Sequence, residues 1–144
     1  MSYFEAKTGG QRLAKRGDIS PVELKSYLSE ICIFGALYDG DSLEDLVVQL
    51  MGTTVASFYG EITGQTVTEG AASAEIAERI LVSCRRVVET GCAVLAEAAT
   101  LSEEKNHLRV RVLYVPLSED GQHIDRIFGH VRVRLRSAAH LSTS

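Results

Sequence analysis

The sequence predicts an α+β domain: a five-stranded antiparallel sheet with helices on one face, entered through an N-terminal amphipathic helix. Three observations predict it. A compact helix-start signal opens the ordered part of the chain. A long amphipathic helix occupies the middle, and after Gly91 the apolar period falls from about 3.6 to 2. The final segment then alternates strictly, with His130, Arg132, Arg134 and Arg136 between Val131, Val133 and Leu135, which gives a strand one wet and one dry face.

Residues 1–17 are polar, glycine-containing and aperiodic, and are expected to form a flexible arm ahead of the fold. At residues 19–24 several helix-start signals coincide. Ser20 suits the N-cap, Pro21 the first helical position, Glu23 completes a capping box, and Ile19 with Leu24 has the spacing of a hydrophobic staple. Leu24, Tyr27, Leu28 and Ile31 then recur every three or four residues as one apolar stripe, which requires a partner surface.

Two apolar runs, 32–37 and 46–51, flank the Asp39-Gly40-Asp41 turn signal and predict a strand, a turn and a second strand. Gly52 introduces Thr53 and Thr54 as the expected cap of a short helix through Tyr59, stopped by Gly60. The main helix is expected over 73–89, with Ile76, Ile80, Leu81, Cys84, Val87 and Val88 facing the core and mixed charges outside, and with Gly91 as its stop. Extended segments at 92–101, 108–115 and 124–135, joined by polar turns, then read as a three-stranded meander. Residues 137–144 form a small polar tail.

At 144 residues, 45% of them hydrophobic, the chain has the size and the apolar content of one self-supporting domain. No apolar stretch approaches the roughly 20 residues of a membrane span, and the N-terminus lacks a signal-peptide core, so the expected location is the cytoplasm. Cys32, Cys84 and Cys92 form no CxxC pair and read as reduced, mostly buried thiols. A net charge of −4 and a pI near 5.6 set the molecule as a whole against nucleic acid.

The motifs of chemistry are absent. His107, His123, His130 and His140 make no HxxxH spacing and read as solvent-facing, without a metal role. No GxSxG elbow, P-loop or GxGxxG occurs. The carboxylate pairs Glu44/Asp45, Glu103/Glu104 and Glu119/Asp120 fall in turns or at element ends, where charge is solvated. The chain is therefore expected not to be an enzyme and to have no catalytic residues. The strongest charge feature is the row Arg132, Arg134, Arg136 with Arg109 and Arg111 on the preceding strand. In-register pairing would put these on one sheet face, as a solvated or partner-facing surface or an anion site.

Residues 52–67, with the Tyr59-Gly60 pair and Gly64, resemble the PAS stretch in which a short helix ends in an aromatic-glycine pair followed by a second glycine. Tyr114-Val115-Pro116-Leu117-Ser118-Glu119-Asp120-Gly121, followed by 124–133, resembles the last two strands of PAS domains and their hairpin. Asp18, Ile19, Pro21, Glu23, Leu24, Leu28 and Ile31 fit a pattern that opens short, stand-alone bacterial PAS proteins. The resemblance covers residues 18–136.

This resemblance implies a PAS-like domain over 18–136 that serves signal transduction as a sensor or through protein–protein interaction. It also implies a pocket between sheet and helices touched by Phe34, Phe58, Ile76, Ile80, Cys84 and Tyr114. Heme-binding members use a histidine on the long helix and blue-light flavin members an Asn-Cys-Arg motif; neither is present here, so no heme or flavin adduct is expected, while an unidentified small ligand stays open. The chain ends soon after Arg136, so output is expected through partners. Those expected are a second copy, bound through Leu24, Tyr27, Leu28 and Ile31, and a signalling protein such as a histidine kinase. The alternative is a small α+β enzyme or carrier for an anionic metabolite held by Arg109, Arg111, Arg132 and Arg134.

Overall fold

The structure, a computed structural model, describes residues 25–101 and 107–136. The expected arm (1–17), the helix start at 19–24 including Leu24, and the tail (137–144) lie outside the described residues. A 3₁₀ segment, Lys25–Glu30, leads into β1 (Ile31–Asp39) and β2 (Ser42–Met51). There follow α1 (Thr53–Tyr59), α2 (Val67–Gly70), α3 (Ala74–Thr90), β3 (Val94–Leu101), β4 (His107–Leu117) and β5 (Arg126–Arg136). The strands form one antiparallel sheet in the order β2-β1-β5-β4-β3. The predicted meander is therefore present, and the added fact is that β5 closes on β1, so the first and last strands lie side by side at the centre of the sheet.

Strand alternation divides the sheet into two faces. Cys32, Phe34, Leu46, Val48, Val110, Val112, Tyr114, Ile127 and Val131 join Val55, Ile62, Val67, Ala77, Leu81, Cys84 and Val87 from the helical side in the main core. Each fully buried aliphatic chain there contributes about 1.5–3 kcal/mol. The opposite, outer face carries a second cluster of Ile31, Ile33, Val115, Leu117 and Phe128.

The helix ends follow their local chemistry. Ser73 Oγ accepts from the Ile76 amide at 3.2 Å at the start of α3, and Gly91 ends it in the left-handed region at φ 68°. Thr66 and Glu69 form a reciprocal cap for α2: Oγ1 accepts from the Glu69 amide at 3.1 Å and donates to its carboxylate at 2.9 Å.

Four expectations need correction. Ile31, expected on the stripe of the N-terminal helix, is instead the first residue of β1, 2% exposed, because the Ile31/Ile33 alternation fits the outer cluster. Gly52, not Thr53 or Thr54, is the N-cap of α1, and it makes no side-chain bond. The reason is a close approach: a Cβ at Gly52 would overlap the backbone carbonyls of Leu28 and Ser29. The third strand, expected from residue 92, begins at Val94 and leaves Cys92 exposed ahead of it, while Cys32 and Cys84 are buried, as expected of most of the thiols. Finally, Ile124 precedes β5 and is buried in the hairpin loop.

Candidate functional site

Two regions of the fold hold the residues that the sequence singled out. The first lies between sheet and helices. An apolar cavity of about 20 Å³ is lined by Phe34, Ile76, Ile80 and Tyr114, four of the residues singled out in the sequence, and also by Cys32, Met51, Val55, Tyr59, Ile62, Val67, Ala71, Val112 and Val131. Cys84 does not line it; its position on α3 turns the thiol fully into the packed core. Phe58 lies in α1, and its side chain is outside what the structure describes. A space of this size holds about one water molecule, against several hundred Å³ for a typical cofactor pocket.

Beside the cavity, and sharing Tyr59, Ile76, Ile80, Val112 and Tyr114 with it, an open groove of about 640 Å³ runs between α3 and strands β3 and β4. Glu75, Glu78 and Arg79 rim it, and Ala96 and Val110 contribute to its lining. Arg79 is held by Glu75 at 2.7 Å.

The cavity wall is chemically quiet. Burial pushes the Cys32 thiol and the Tyr59 hydroxyl each up to about 12. Burial, reinforced by the neighbouring cysteine thiols and the Tyr59 phenol, also raises Cys84 (beside Cys32) and Tyr114 (beside Cys84, Tyr59 and Cys32). At neutral pH these groups are uncharged, so no thiolate nucleophile or phenolate base is available there. Among the described residues no cluster of three or more His, Cys, Asp or Glu side chains could hold a metal ion.

The second region is the outer face of the sheet. Here the register of the arginine strands is as expected: Arg109 stands opposite Arg134 and Arg111 opposite Arg132. The sequence reading missed Glu97, the only acid of β3. It pairs with Arg111 in register and sets one carboxylate oxygen 3.0 Å from Arg111 Nε and the other 3.4 Å from Arg109 Nη1. Extending the meander register by one strand would have found it.

One row further along, Leu95 pairs with Leu113 and Leu113 with His130. The Tyr27 ring meets the His130 ring edge-on at 5.4 Å, and His130 Nε2 is 3.0 Å from the Glu30 carboxylate. His130 is thus a half-buried anchor for the 3₁₀ segment, where the sequence suggested a solvent-facing residue. Leu95 is 53% exposed, Tyr27 44% and Leu28 39%. Of the residues expected to bind a second copy, Tyr27 and Leu28 are on the surface, Ile31 is buried within its own chain, and Leu24 is outside the described residues.

Comparison with known proteins agrees with this architecture. A family model described as PAS domain matches residues 1–132, and the chain belongs to the PAS domain family, a class of sensory and signalling modules. Similar solved structures include a light-oxygen-voltage domain studied with a flavin analogue, with a TM-score of 0.52, 11% identity, and coverage of 85% of this chain and 87% of that one. A sensory box sensor histidine kinase from Vibrio cholerae gives 0.50 at 20% identity, covering 78% of this chain and 88% of that one. The VqmA dimer of Vibrio cholerae, a LuxR-type receptor, gives 0.52 at 14% identity, covering 81% of this chain and 52% of that one. At these identities the likeness is one of fold. A search of the curated proteins finds no match. No helix among the described residues is long and apolar enough to cross a membrane.

Proposed function

We propose that this PAS domain is a cytoplasmic signalling module that works through protein–protein contact on the outer face of its sheet. The observation that carries the reading is the row Leu95, Leu113, His130 and Tyr27, apolar along most of its length and partly open to solvent, beside the charged row of Glu97, Arg111 and Arg132. Apolar surface next to fixed charge is the composition of a protein interface: the first supplies burial, the second orientation. The nearly filled interior supports the same reading, since a cavity of about 20 Å³ favours contact over a permanently held prosthetic group. The open groove along α3 is where a small ligand would reach the core and alter the packing of that helix.

Two partners follow. A second copy meets the apolar row, with Tyr27, Leu28 and Leu95 at the contact. A signalling protein of the histidine kinase type is the downstream partner, in keeping with the fold likeness to a sensor kinase. Sedimentation velocity tests the self-association. The wild type should run as a dimer, and Tyr27→Asp with Leu95→Asp should give monomers with an unchanged circular dichroism spectrum. A monomeric wild type, or a dimer that survives both substitutions, would defeat the reading.

A further inference from the structure

The charged row is asymmetric about β4. On the β3 side of β4, one strand carboxylate, Glu97, bridges two arginines two residues apart, Arg109 and Arg111. On the β5 side, Arg132 stands opposite Arg111, and Arg134 stands at the register position opposite Arg109. Like charges directly opposed weaken a sheet, and among the described residues Arg132 is exposed and has no carboxylate partner.

Among the described residues, the strand edge beside Arg132 has no flanking strand either. β1 pairs with β5 only from Gly35↔Arg126 to Ile31↔His130, and upstream of Ile31 the chain turns into the 3₁₀ segment. Among the described residues no strand therefore flanks β5 beyond His130, although β4 continues to pair with it as far as Arg136. Backbone groups along such an edge are a template for an added strand.

We propose that the edge of β5 beyond His130 receives an extended, acidic segment of a partner protein, added as a strand whose alternate carboxylates lie beside the positions of Arg132 and Arg134. This rests on the interaction reading above and deepens it by naming the chemistry of the partner. The incoming acid would stand to Arg132 as Glu97 stands to Arg111. Alternate acids in an extended strand repeat about every 6.6–6.8 Å, the same spacing as residues two apart on β5. A carboxylate segment is favoured over a single-stranded nucleic acid because Phe128, an aromatic residue of this strand on which a base would otherwise stack, is 5% exposed.

The test is fluorescence anisotropy with the full chain and a short fluorescein-labelled peptide of alternating glutamate and threonine, at low and high salt. Binding should weaken with salt and fall about tenfold or more for the glutamine counterpart and for Arg132→Glu. Arg86→Glu, on the outside of α3, should leave it unchanged. Equal binding of the glutamine peptide, or an Arg132→Glu variant that binds normally, overturns the proposal. Tighter Arg132-dependent binding of oligothymidylate or of phosphatidylserine vesicles overturns it by assigning the edge to phosphate. If Arg132→Glu instead dissolves the dimer seen in sedimentation, the occupant is a second copy and the proposal fails. A wild-type chain that forms the Tyr27/Leu95 dimer but does not bind the glutamate peptide rejects only this inference; a wild-type chain that does neither rejects the outer face as an interface.

Discussion

Asp120 shows how much a single residue can organise in the β4–β5 hairpin. Its Oδ1 accepts from Ser118 Oγ at 2.8 Å and from the amides of Gln122 and His123 at 2.7 Å each, while its Oδ2 lies 2.8 Å from His123 Nδ1. These bonds hold its carboxyl well below the usual carboxylate range, and Asp120 in turn raises His123 above the ordinary imidazole value of about 6.5. The two linkages have opposite signs. The His123 contribution is complete below the ordinary histidine pKa and is lost as pH rises through the raised one. The Asp120 contribution is complete above the ordinary carboxylate pKa and is lost as pH falls through the depressed one. An NMR titration should give His123 a midpoint above about 6.5 that drops in Asp120→Asn; an ordinary midpoint in the wild type would mean that the pair does not form in solution. The sequence placed Glu119 and Asp120 in a solvated turn, which is correct, but the convergence of donors on Asp120 was not legible, because it depends on the turn geometry set by Gly121 at φ 80°.

At the scale of elements, what could be read locally was read correctly. The start of α3 at Ser73, its stop at Gly91, the end of α1 at Gly60 and the alternation of β5 are all governed by neighbours a few residues away. What failed depended on distant contacts. Ile31 continued the helical period of Leu24 and Leu28, yet it belongs to β1 because Ile33, Val115 and Phe128 offer it a strand environment. Gly52 looked like punctuation, whereas it is the point at which α1 meets the 3₁₀ segment, its amide donating to the Ile31 carbonyl at 2.7 Å. Gly52→Ala should therefore cost about 1–3 kcal/mol through overpacking against Leu28 and Ser29, read as a lower midpoint in urea unfolding. Unchanged stability would show that this junction is looser than described.

For the whole molecule, the count of five strands and the three-strand meander were legible in the sequence, but the closure of β5 on β1 was not, since pairing across about a hundred residues leaves no local trace. The candidate sites divide along the same line. The arginine register followed from strand periodicity, while the apolar row beside it and the bridging Glu97 emerged only when β3, β4 and β5 were assembled. The near-complete filling of the interior is likewise a property of the assembled fold, in which α1, α2 and α3 close over the sheet. The central claim, a PAS domain that signals by contact and not through a resident cofactor, is tested most directly by native mass spectrometry of freshly purified protein. The spectrum should show a dimer with the mass of two bare polypeptides; a flavin, a heme or another stoichiometric small molecule retained in the complex would assign signalling to a bound cofactor instead.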